Sequence, residues 1–113
     1  HSFGNIDKSA FTSYIQAVSE NLERWAKVFA ALGSPERLAV LAYILAKSGQ
    51  NCRALARSLR LSTPALSYHL RILEEAGLIV REKRGRRRCL RASSELGKVL
   101  RPKVIAELRK EGK

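Results

Sequence analysis

The stretch from Leu61 to Gly77, LSTPALSYHLRILEEAG, constrains this chain more than any other. Ser62 and Thr63 stand ahead of Pro64, a helix start at which the proline's missing N–H costs nothing. Leu66, Leu70 and Leu73 follow at i, i+4, i+7 and draw one apolar stripe along a helix. Gly77 closes the helix where a left-handed residue is wanted. The other faces carry Ala65, Ser67, Tyr68, His69 and Arg71. Short polar groups near a helix N-terminus reach base edges when the helix lies in a DNA major groove. The stretch reads as a recognition helix.

Its neighbours agree. Asn51 is placed to cap a short preceding helix with Leu55, Ala56 and Leu59 facing inward and Arg53, Arg57 and Arg60 outward. Leu61 and Ser62 then form the turn of a helix-turn-helix. After Gly77 the period changes: 78–84 is β-prone, Gly85 supplies a turn, and 86–91 returns as a second strand. Lys83, Arg84, Arg86, Arg87 and Arg88 crowd the tip of this hairpin. No core accommodates such a cluster, and its self-repulsion asks for an anionic partner.

Residues 1–10 look irregular. From Phe11 the apolar positions Phe11, Ile15, Val18, Leu22, Trp25, Phe29 and Leu32 alternate by four and three, as in a helix–helix seam. A helix of this length exceeds ~30 Å at ~1.5 Å per residue, so part of its stripe should outrun its own domain and meet a second subunit. The seam also suits the buried face of a core helix, and a break near Ser19 to Asn21 would make two helices. Gly33-Ser34-Pro35-Glu36 is a stop followed by a start, with Ser34 as cap. Leu38, Leu41, Ala42 and Leu45, widened by Val40 and Ile44, belong to a central helix. Ser93 and Ser94 offer a cap to a last helix over 94–111, whose Leu96, Leu100, Val104 and Leu108 repeat every four residues. Pro102 inside that pattern predicts a kink or a restart. The last helix has no obvious partner but the first, so both are expected in a dimer layer that includes Phe11, Ile15, Val18, Leu22, Trp25, Leu100, Val104 and Leu108.

The expected fold is mainly α (α+β): one domain over 1–113, a winged core over 35–92 between dimerisation helices 11–32 and 94–111. The net charge of +12 is unevenly placed, for 1–48 hold five basic and four acidic residues and the rest of the chain is strongly basic. A basic half on a near-neutral half reads as a polyanion-binding face. A membrane surface suits it less well, because the cations do not follow one amphipathic helix. The longest apolar run, Leu38 to Ala46, cannot span a bilayer. Asp7 and Lys8 break any signal-peptide pattern, so cytoplasmic residence is expected. His1 in place of Met suggests a trimmed start, and a winged helix inside a longer protein also fits. There is no phosphate loop and no Ser/His/acid set, so neither enzyme activity nor a cofactor is expected. Two functions remain: a dimeric, sequence-specific regulator of transcription, or an architectural protein that coats DNA without sequence preference.

Three motifs carry a resemblance over about residues 25–95. Phe29-Ala-Ala-Leu-Gly-Ser-Pro-Glu-Arg-Leu-Ala-Val-Leu41 resembles the opening motif of the ArsR/SmtB group of bacterial and archaeal winged-helix repressors. Leu61-Ser-x-x-x-x-Ser67-x-His69-Leu70-x-x-Leu73-x-x-Ala-Gly-Leu-Ile79 resembles its recognition helix, and Lys83-Arg-Gly-Arg-Arg87 its wing. The resemblance implies a homodimer that binds an inverted-repeat double-stranded operator and releases it on a signal. It implies that Ser62, Thr63, Ala65, Ser67 and Tyr68 face bases, that His69 and Arg71 lie near phosphate, and that the wing arginines enter the minor groove or straddle the backbone. Arg53 and Arg57 would add phosphate contacts. His69 also suits a side chain satisfied at the helix–wing junction, and Ser67 a bond to its own helix.

The sensing sites depart from the group. A thiolate metal site in the third helix would need paired cysteines where this chain has Asn51-Cys52-Arg53, and residues 94–113 lack both His and Asp. No metal is expected. In winged helices the segment before the third helix often pairs with the returning wing strand, so the resemblance brings Cys52 toward Cys89. A bridge needs Cα atoms roughly 4.4–6.8 Å apart, and Arg53, Arg88 and Arg91 favour thiolates. Either the two form a redox pair that pulls the wing out of register, or they are inert.

Overall fold

The computed structural model describes residues 8–113. Residues 1–7 and the side chains of Lys8, Phe11, Tyr14, Ile15, Ala17 and Val18 lie outside the described residues, and with them three expected interface residues. The order is α1 (Lys8–Leu32), α2 (Pro35–Ala46), α3 (Cys52–Leu59), α4 (Thr63–Glu75), β1 (Ile79–Arg84), β2 (Arg87–Ala92), α5 (Leu96–Val99) and α6 (Pro102–Glu111).

Helix α1 is unbroken through Ser19 to Asn21 and begins three residues before Phe11. Its last turns hold it to the body: Ala31 is fully buried, and Val28 and Leu32 pack beside it. Leu22, Trp25 and Phe29 face outward. No single helix among the described residues is long and apolar enough to cross a membrane.

The centre is α2, as its continuous apolarity predicts. Ser34 Oγ accepts from Arg37 N at 3.3 Å, Pro35 opens the helix, and Val40, Leu41 and Ile44 are buried. Around it close Leu55 of α3, Leu66, Leu70 and Leu73 of α4, Leu90 of β2 and Leu96 of α5. At ~1.5–3 kcal/mol for each large apolar side chain fully buried, this cluster is the main force that sets α3 and α4 in place.

The wing is an antiparallel ladder from Ile79 opposite Ala92 to Arg84 opposite Arg87. Gly85, at φ +64°, turns it with Arg86 as the second loop residue. The segment before α3 does lie along β2, for Leu90 accepts from Gly49 N and donates to Gln50 O, both at 3.0 Å.

Pro102 brings the restart that its place in the pattern predicts: α5 and α6 are separate helices, because Leu100 is extended (φ −116°, ψ 140°) and so is Arg101 (φ −67°, ψ 152°). A residue before proline is pushed out of the helical region, and Pro102 is at home in a new first turn. The partner of α6 corrects the sequence reading, for within the chain it is not α1. Helix α6 lies on α2, with Ile105 and Leu108 against the core and Arg109 Nε donating to Leu45 O at 3.2 Å. Gly112 rests on the α2 backbone at Ala42 and Tyr43, where a Cβ has no room. Of the expected interface residues here, Leu100 and Leu108 are half-buried in their own core and Val104 stays exposed.

Candidate nucleic-acid interface

Helices α3 and α4 owe their angle to two C-terminal locks. At the end of α3, Arg60 adopts the left-handed conformation (φ 54°). Leu61 N donates back to Ala56 O at 3.0 Å and Arg60 N to Arg57 O at 3.3 Å, the paired bonds of a Schellman motif. Gly77 (φ +75°) ends α4 the same way, with Leu78 N on Leu73 O at 3.0 Å and Gly77 N on Glu74 O at 2.9 Å. Each helix is also capped at its start: Asn51 Oδ1 accepts from Ala54 N at 2.8 Å, and Ser62 Oγ from Ala65 N at 3.2 Å. The turn between the helices is thus held by backbone chemistry on both sides.

On α4, Thr63, Ser67 and Arg71 fall at i, i+4, i+8 and are exposed, with Pro64 and Tyr68 exposed beside them and Ala65 half-buried at the edge. Ser62 is exposed, its oxygen occupied by the cap. Five of the seven α4 and cap positions expected to face nucleic acid are therefore exposed, and Ala65 is half-buried.

The seventh is a correction. His69 is only 7 % exposed, and its Nε2 donates to Glu36 Oε2 at 3.1 Å while Nδ1 is buried without a partner. It sits at a helix junction, bonded through Nε2 alone, and the junction is that of α2 with α4 and not that of the helix with the wing. The signal was in the spacing: Leu66, His69, Leu70 and Leu73 are i, i+3, i+4, i+7, so His69 belongs to the apolar stripe.

Arg37 is a residue that sequence reasoning missed. It is 8 % exposed, its Nη1 donates to Ala30 O in the last turn of α1 at 2.7 Å, and its guanidinium carbon lies 5.9 Å from the centroid of the Tyr68 ring. Consecutive residues of α2, Glu36 and Arg37, thus hold consecutive residues of α4, His69 and Tyr68.

Cations surround the α4 strip. Arg53, Arg57 and Arg60 on and after α3, Arg71 on α4, and Lys83, Arg86, Arg87 and Arg88 on the wing are all exposed and carry no ion pair among the described residues. The acids nearby are engaged elsewhere: Glu74 with Arg81 at 2.8 Å, and Glu82 with both Arg91 and Arg84. The wing's inner part is charge-balanced and its tip is not, a field suited to phosphates.

Both cysteines are free thiols, Cys52 half-buried and Cys89 buried. Arg81 Nη1 lies 3.9 Å from Cys52 Sγ. Arg81 is opposite Leu90 and Cys89 opposite Glu82, so strand alternation sends Arg81 and Cys89 to opposite faces of the ladder. The expected approach of the two sulfurs is not what this arrangement favours. Among the described residues no group of three or more His, Cys, Asp and Glu side chains gathers as a metal site.

A family model described as a helix-turn-helix domain matches residues 32–82. An HTH-type transcriptional regulator of Methanocaldococcus jannaschii is 37 % identical over 67 residues, which are 58 % of this chain and 74 % of that protein. The ArsR-like transcriptional regulator from Rhodococcus sp. RHA1 superposes with a TM-score of 0.64 at 33 % identity, over 80 % of this chain and 88 % of that one. The chain belongs to the ArsR-like family of transcriptional regulators. A homodimeric winged helix-turn-helix DNA-binding domain from Mycobacterium bovis, 24 % identical, shares the fold of this ArsR-like chain with a TM-score of 0.65 over 81 % of each. Fold and relatives alike are those of regulators and not of enzymes.

Proposed function

We propose that this ArsR-like chain is a sequence-specific double-stranded DNA-binding repressor that works as a homodimer on an inverted-repeat operator. One observation carries the reading: a capped helix presents a strip of Thr63, Ser67 and Arg71 beside Tyr68, between two sets of unpaired cations. In such an arrangement α4 reads base edges, while the α3 arginines and the wing supply salt-dependent affinity. The exposed α1 face of Leu22, Trp25 and Phe29, with Trp25 stacked on Phe29 at 5.8 Å between centroids, supports pairing with a second copy, as does the homodimeric Mycobacterium bovis neighbour. Val104 extends the same use to α6.

Competition binding tests specificity against mere coating. A duplex recovered by selection should outcompete a scrambled one by about a thousandfold or more, and equal affinities would end the reading. Sedimentation equilibrium should give a dimer, and Leu22→Glu with Phe29→Glu should give monomers.

A further inference from the structure

Tyr68 is the largest side chain on the exposed strip of α4, 51 % exposed. A tyrosine ring on a helix surface samples several rotamers, and a ring that must meet one base step gains from being held in one of them. Two interactions hold this one. The guanidinium of Arg37 sits 5.9 Å from its centroid, within the distance at which a cation is attracted to a ring face. The His69 ring meets it edge-on, centroids 5.5 Å apart, and His69 is itself fixed by Glu36. Arg37 is in turn anchored by its 2.7 Å bond to Ala30 O.

The bond to Ala30 O gives this buried arginine a structural role at the end of α1, and that role leaves part of the guanidinium unused. Its Nε is buried without a hydrogen-bond partner, a burden that a purely structural side chain would be free of. No carboxylate pairs with it among the described residues. What its charge meets besides Ala30 O is the Tyr68 ring.

We infer that Arg37 is a positioning residue for sequence discrimination: it touches no base itself, but sets the orientation in which Tyr68 meets the DNA. The inference rests on the reading of α4 as the base-reading helix. Through Ala30 it also ties that orientation to the last turn of α1, the helix assigned to pairing.

The test is the ratio of affinities for the selected duplex and a scrambled duplex of equal length, in wild type, Arg37→Gln, Arg37→Lys and Tyr68→Ala, and in Arg37→Gln combined with Tyr68→Phe or with Tyr68→Ala. Gln keeps a donor for Ala30 O and loses the cation; Lys keeps the cation. Arg37→Gln should lower the ratio about fivefold, with binding to the scrambled duplex unchanged, and Arg37→Lys should recover most of it. The same fall should appear in the Tyr68→Phe background and vanish in the Tyr68→Ala background. A fall of equal size without the ring, or an equal loss on both duplexes, overturns the inference. If Arg37→Gln fails to fold, Arg37→Met, which keeps the apolar stem and removes the cation, takes its place in the wild-type and Tyr68→Ala backgrounds, and a fall of equal size in both overturns the inference. A wild-type protein with no preference between duplexes would remove the base-reading role of α4 itself, and that control is read before any variant.

Discussion

Glu36 and His69, 33 positions apart, are joined by a 3.1 Å hydrogen bond that ties the first turn of α2 to the middle of α4. The two ends are unequal, for the His69 ring is buried and the Glu36 carboxylate is largely exposed. The ring's packing should therefore matter more than its bond. His69→Ala should cost about 2 kcal/mol through reduced burial and an opened cavity, and Glu36→Gln no more than ~0.5 kcal/mol. Urea unfolding checks both, and a costly Glu36→Gln beside a neutral His69→Ala would contradict the assignment.

Arg60 holds a left-handed conformation that disfavours any residue with a Cβ by roughly 1–2 kcal/mol. Glycine removes that strain at an entropic cost of about 0.5–1 kcal/mol. Arg60→Gly should therefore raise the urea midpoint slightly with an unchanged slope, and weaken DNA binding at low salt if its exposed side chain meets phosphate.

Lys83, Arg86, Arg87 and Arg88 of the wing have no ion pair among the described residues, and their contribution should be electrostatic. Removal of Arg86, Arg87 or Arg88 should each reduce the slope of log K against log salt by about 0.9 for every phosphate that the side chain neutralises, to the same extent on selected and scrambled duplexes. Ser67→Val should do the opposite, lowering affinity for the selected duplex alone. Titrations between roughly 50 and 200 mM salt separate these behaviours.

Because Cys89 and Arg81 leave opposite faces of the ladder while Arg81 reaches Cys52, mild peroxide should not join the two cysteines within one chain. Mass spectrometry of alkylated peptides checks this. A Cys52–Cys89 bridge would show that the wing leaves its register, and would restore thiol oxidation as the releasing signal.

What the sequence discloses here is what is local. The caps at Ser34, Asn51 and Ser62 each lie three residues from the amide they serve. The Gly77 stop and the Gly85 hairpin need only the chain's own turn chemistry, so the helix-turn-helix and the wing are legible. Arg37 is not, because polarity alone places it outside, and His69 is legible only through its spacing on the apolar stripe, against its polarity. Their burial depends on what α2 meets: an apolar stripe that includes position 69, a carbonyl at the end of α1 and a ring on α4. The partner of α6 is hidden for the same reason, since its seat on α2 depends on a helix broken before Pro102 and on the bare backbone of Gly112. Tertiary packing decides these three.

The most direct measurement is selection of bound sequences from a pool of random duplexes. A pair of α4 helices related by a two-fold axis should enrich an inverted repeat whose half-sites lie about one helical turn, ~34 Å, or a multiple of it apart. Recovery of duplexes with no common sequence and no symmetry would contradict the account.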